Sequence, residues 1–266
     1  MDKIYSGLNL LSVLIAIGVN AASQSRLWDL PTVGEISGRY PTLITPAGYA
    51  FSIWGAIFLG LLAIGAYGVY RAFRYSDNNG WIARTVPWFC GANLFNALWV
   101  WVFSHEMLGL SVAVIFALLA CLIALIRVLD MERWDAPIGT IAFLWWPICL
   151  YSGWISIAVI ANVAVWLSAS GWSGWGDVGP ADWTLAMIGV AIALNWFMVF
   201  SRNMREFALV GAWALAAIAM RHLNSPAPLF YVPMVGTILL VGLAVWHGWR
   251  NRATNPLVKL RQRFGR

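Results

Sequence analysis

Tyr151, Trp154, Ala158 and Asn162 recur at intervals of three, four and four residues within the apolar stretch 150–166. On a helix of 3.6 residues per turn they fall along one face, which offers two rings, a gap and an amide. Phe51, Trp54 and Phe58 share a face by the same rule, and "GANLFNALWVWVF" adds Asn93, Asn96 and Trp99. Stacking on π-faces and hydrogen bonding through amides is the chemistry these groups offer. A site of that kind suits a flat, apolar molecule with a few polar atoms. Two plainer roles suit the same residues: Asn and Ser bond neighbouring helices together in a membrane, and Trp fills bulky packing space.

Other chemistries lack their residues. All eleven acidic residues fall in loops or near the ends of apolar runs. Carboxylates inside a membrane mark ion and proton pathways, so a proton- or sodium-coupled pump is not expected. Paired carboxylates for acid–base catalysis are missing for the same reason. His105, His222 and His247 form no cluster of metal-ligand spacing. Cys90, Cys121 and Cys149 lie far apart inside apolar runs and read as small fillers. With no nucleotide loop and no nucleophile elbow, the expectation is binding rather than catalysis.

The elements that must position these groups are membrane helices. The chain is 61% hydrophobic and 11% charged, against roughly 25% charged in a soluble domain. Its 18 tryptophans fit a protein whose rings collect at the headgroup level. A crossing needs about 20 apolar residues, which predicts eight spans: Ile4–Ala22, Ala47–Val69, Val86–Phe103, Leu108–Leu129, Ile138–Leu167, Trp183–Phe200, Phe207–Met220 and Phe230–Trp249. The seventh is short, and the fifth is long enough to tilt. Lys3, an apolar run and the small residues before Ala22 resemble a secretory signal, but the segment is expected to stay as a crossing.

An even number of spans leaves both termini on one side. That side would hold Lys3, Arg71, Arg74, Arg84, Arg127, Arg133, Arg202, Arg205, Arg250, Arg252, Lys259, Arg261, Arg263 and Arg266, and the other only Arg26, Arg39 and Arg221. The positive-inside rule then places both termini in the cytoplasm. The basic tail reads as an anchor on anionic headgroups rather than a nucleic-acid contact. Two loops on the opposite side stand out. Residues 23–46 form a long connection of the kind that serves as a lid, and the Gly- and Trp-rich stretch 168–181 reads as a boundary.

At these residues the sequence resembles the TspO/MBR family, the tryptophan-rich sensory proteins related to the mitochondrial translocator protein. "GRYPTLITPAGYAFSIWGAIF" is similar to the family's entry into helix two, with Tyr40, Pro46, Phe51 and Trp54 in comparable places. Asn96 and Trp99 match an asparagine and tryptophan of its third helix, and Trp154 and Asn162 a pair in its fifth. Ala92 stands where the family has glutamine, Leu150 where it has proline, and Phe51 to Trp54 is one residue shorter than the family spacing. The resemblance covers about residues 1–167. It implies an all-α membrane protein built on a five-helix bundle, with residues 168–266 adding about three helices and a basic tail.

It also implies a pocket closed by the first loop, binding a porphyrin, another tetrapyrrole or a sterol-like lipid. Tyr40, Pro46, Phe51, Trp54, Asn96, Trp99, Tyr151, Trp154, Ala158 and Asn162 would line it. Two further roles stay open: a structural or assembly subunit of a larger membrane complex, and an enzyme that degrades porphyrin under light. Membrane lipids, a second copy of the chain or a membrane complex are the expected partners.

Overall fold

The computed structural model describes residues 1–75, 79–174 and 176–251. Asp77 and the basic tail from Arg252 to Arg266 lie outside the described residues. Among those described, regular structure is helical: α1 (Asp2–Gln24), α2 (Val33–Arg39), a 3₁₀ turn (Gly48–Ser52), α3 (Ile53–Arg74), α4 (Gly80–Ser104), α5 (Leu108–Val128), α6 (Ile138–Thr140), a π turn (Ile141–Trp145), α7 (Trp146–Ala169), α8 (Pro180–Arg202), α9 (Arg205–Arg221) and α10 (Ala227–Arg250). The π turn ends against Pro147, which has no N–H to continue the ladder.

Seven of the eight expected spans are helices with the length and composition to cross a membrane. The remaining one, Phe207–Met220, lies in α9, whose 17 residues reach roughly 25 Å at 1.5 Å per residue. Short as it is, α9 joins the two faces of the molecule. At its start, Arg202 pairs with Asp130 and Asn203 donates to the Glu132 carbonyl. At its end, Arg221 donates to the Thr45 carbonyl, and His222 contacts the Leu43 carbonyl.

These contacts also put the described ends together. Lys3 sits over the Phe73 ring near the end of α3, and Arg205 lies against Gly248 near the end of α10. Both belong to the face that carries Asp130, opposite the long first loop.

α1, α4, α5, α7 and α3 touch in that cyclic order and close into a five-helix bundle. Small residues set the closest approaches, as in membrane bundles generally. A Cβ on Gly60 would lie 2.9 Å from Pro147 Cβ, which fixes the α3–α7 distance. Between α1 and α4 the cement is polar: Asn93 donates to Ser12 Oγ at 3.0 Å, and Asn20 to Asn96 Oδ1 at 2.7 Å. Asn93 thus takes the plainer of its two expected roles.

α9 packs on the bundle through α7, with α8 and α10 outside it. A Cβ on Gly153 of α7 would lie 3.1 Å from the Phe207 carbonyl oxygen, so glycine lets α9 approach. Phe207, Val210, Ala214 and Ala217 of α9 join the same buried core as Leu122, Ile148 and Trp154 of the bundle.

Candidate functional site

The long first loop is ordered by its own chemistry. Thr32 caps α2: its Oγ1 accepts from the Glu35 N–H, and the Glu35 carboxylate accepts from the Thr32 N–H at 2.8 Å. This reciprocal box satisfies two of the donors a helix start leaves open. Arg26 pairs with the same carboxylate. Backbone and side-chain hydrogen bonds from Thr32, with Arg26 adding its charge, hold the Glu35 carboxyl below its ordinary range. At the far end of α2, Arg39 pairs with Glu106 in the turn between α4 and α5, and the Tyr40 hydroxyl donates to Glu106 at 2.6 Å. That hydrogen bond pushes the Tyr40 phenol above its ordinary range.

The chain then runs along α9 before entering α3. The Ala47 N–H donates to the Ala217 carbonyl at 3.0 Å, and Trp213 Nε1 to the Ala50 carbonyl at 3.1 Å. The entry into α3 is therefore held by a helix more than 160 residues further along the chain.

Beneath α2 lies a cavity of about 560 Å³ bounded by α1, α2, the start of α3, α4 and the end of α9. Its size is within the usual range for small-molecule sites, about 300–1,000 Å³. Phe51, Trp54, Phe58 and Trp99 give its aromatic walls, and Asn20 and Gln24 are among its polar groups. A narrow extension of about 50 Å³, sharing Phe51, Trp54 and Trp99, runs between α4 and α7 towards Trp154, Ala158 and Asn162.

The rings are fixed by one another. Trp54 stacks on Phe58 at 5.3 Å and Trp99 on Phe103 at 5.1 Å. Phe51 meets Trp154 edge-to-face at 5.8 Å. Such pairs contribute roughly 0.5–1.5 kcal/mol beyond burial, enough to hold a wall in place while the cavity is empty.

Seven of the ten residues expected from the sequence face this space: Pro46, Phe51, Trp54, Trp99, Trp154, Ala158 and Asn162. Three do not. Tyr40 is turned to Glu106 and latches the loop. Tyr151 lies under Trp54, ring to ring at 6.1 Å, with its hydroxyl 3.4 Å from the Ala92 carbonyl. Asn96 is buried between α1 and α4, holding Asn20; its Nδ2 is buried with no hydrogen-bond partner among the described residues.

Asn162 is buried in the wall of the narrow extension. Its Oδ1 accepts from Trp99 Nε1 at 2.8 Å and its Nδ2 donates to Ser111 Oγ at 2.9 Å. An amide nitrogen carries two donors, of which Ser111 takes one.

Other wall residues were not among those expected. Asn20 and Gln24 lie one turn apart at the end of α1, where two amides four residues apart are a helical-face signal. Arg221 comes from α9, and nothing local in the sequence ties it to the first loop.

No curated protein and no solved structure is similar enough to match this chain. A family model described as TSPO-like protein matches residues 6–246, running past the five-helix bundle through α8 and α9 into α10. That match takes in both the multi-pass helical architecture and the aromatic cavity, and the chain belongs to the TSPO-like protein family.

Proposed function

We propose that the protein binds a planar, hydrophobic molecule in this cavity: a porphyrin, another tetrapyrrole or a sterol-like lipid. The binding would serve sensing, transport or regulation of that molecule. The observation that carries the reading is a set of mutually braced aromatic walls beneath a capped helix, with no carboxylate in the lining among the described residues. Flat π-faces in a low-dielectric site favour flat apolar ligands. In this reading α2 is the lid and Glu106 its latch, and both termini are cytoplasmic.

Titration of the purified protein with protoporphyrin IX, read as quenching of tryptophan fluorescence, tests it. Trp54→Ala and Trp99→Ala should each weaken binding by about tenfold, a loss of about 1.4 kcal/mol. Unchanged affinities in both folded variants would end this reading.

A further inference from the structure

Among the described residues, Arg221 is the one charged side chain that lines the 560 Å³ cavity. It arrives from the last residue of α9, where a cation also sits well against the helix C-terminus. Its Nη1 donates to the Thr45 carbonyl at 3.3 Å, which fixes the guanidinium beside the cavity. It forms no ion pair among the described residues. Of the acids in the first loop and the α4–α5 turn, Glu35 pairs with Arg26 and Glu106 with Arg39 and Tyr40, while Asp29 lies outside the cavity lining and forms no ion pair with Arg221 among the described residues. The aromatic walls thus meet a guanidinium whose charge no carboxylate of the cavity balances.

We propose that Arg221 anchors an anionic carboxylate of the bound molecule, so that the cavity selects planar hydrophobic acids over their neutral counterparts. This deepens the function proposed above and rests on it. A guanidinium presents a planar fork of N–H donors that matches a carboxylate. One Nη1 hydrogen is used on Thr45, and the remaining donors are available. Gln24, on α1 across the same cavity, can hydrogen-bond the acid without adding charge, whereas Asn20 spends both its Nδ2 hydrogens on the Ala16 carbonyl and Asn96 Oδ1. The apolar body would then lie against Trp54 and Trp99, with its acid end at the end of α9. α9 acquires a function in this arrangement: it supplies the selectivity of a cavity whose other walls come from the bundle and the first loop.

Protoporphyrin IX carries two carboxylic acids, and its dimethyl ester has the same ring without them. Both are titrated into the full-length protein in a neutral detergent at pH 7.5, and melting temperature is followed in parallel. The wild type should bind the acid about tenfold tighter than the ester, a preference that shrinks with added salt because exposed charges are screened. Arg221→Gln should lower acid affinity to that of the ester and leave ester affinity unchanged, while Arg221→Lys keeps part of the preference.

Equal affinity of the wild type for acid and ester would overturn the proposal without any variant. So would an Arg221→Gln change that weakens both probes alike. In either case Trp54→Ala and Trp99→Ala still report on the cavity. If those two substitutions leave both affinities unchanged, the cavity reading itself falls, and the role of Arg221 with it.

Discussion

Trp99 of α4 donates its indole N–H to the side-chain oxygen of Asn162 on α7 at 2.8 Å, inside the buried end of the aromatic cavity. The bond fixes the plane of one cavity wall from a helix on the opposite side of the bundle. Removing the acceptor strands a buried donor, which costs about 1–3 kcal/mol. Asn162→Leu should therefore lower the stability of the protein and also loosen Trp99. In Trp99→Phe the orphaned N–H is absent, so the double variant should lose less than the two single losses added together. Denaturation in detergent measures all three, and strict additivity would show that the bond contributes nothing.

Glu106 holds Arg39 and Tyr40 at the end of α2. Pairs at an exposed surface contribute little to global stability, but they can govern a local opening. Glu106→Gln should speed release of bound porphyrin severalfold in stopped-flow fluorescence while the melting temperature stays nearly constant. Release at the wild-type rate would make the loop a connector and not a lid.

The start of α2 has its own pH dependence. The Glu35 carboxyl is held below its ordinary range by Thr32 and Arg26. A depressed folded-state value contributes stability above the unfolded pKa, about 4.3 for Glu, and that contribution is lost as pH falls through the folded value. Release of the porphyrin dimethyl ester, which has no acid of its own, should accelerate below about pH 4.3. In the Glu106→Gln background, where the latch carries no carboxylate, Glu35→Gln keeps a box-forming side chain and should make the release rate flat across this range. A variant with the same acid response would move the titration elsewhere.

Gly60 faces the Pro147 ring with no room for a side chain, since a Cβ there would lie 2.9 Å from Pro147 Cβ and 3.4 Å from its Cα. A proline ring cannot swing away as a long side chain would. Overpacking costs typically about 1–3 kcal/mol, while the helix-propensity gain over glycine is below about 1 kcal/mol for a β-branched residue. Gly60→Val should destabilise the bundle and widen the α3–α7 spacing, weakening porphyrin binding in the same sample. An unchanged melting temperature would show that α3 shifts freely.

The orientation proposal is checked by reporter fusions. A fusion after Arg266 should report cytoplasm, and one inserted between Ser168 and Ala181 the opposite side. Both on one side would contradict the even number of crossings implied by the contacts at the two ends of α9.

Local pattern determined the membrane class, because hydropathy over 20 residues needs no knowledge of neighbours. It also determined the shared faces of Phe51, Trp54 and Phe58 and of Trp154, Ala158 and Asn162, because a 3.6-residue period is set by the backbone. Tertiary structure decided which of those faces meet. Tyr151 follows the same period as Trp154, yet it lies beneath Trp54 and outside the cavity, since packing depth does not follow from spacing. Tyr40 turns from the cavity to Glu106, 66 residues away in sequence. α9 carries Gly211 and several alanines in 17 residues, so hydropathy gives it the weakest signal of the spans, and it is its packing against α7, α8 and α10 that places it in the molecule. Arg221 reads in sequence as a loop cation, and only the hydrogen bonds from α9 to the chain at Leu43–Ala50 bring it to the cavity wall. Such contacts join segments more than 160 residues apart, a distance over which no local periodicity carries information.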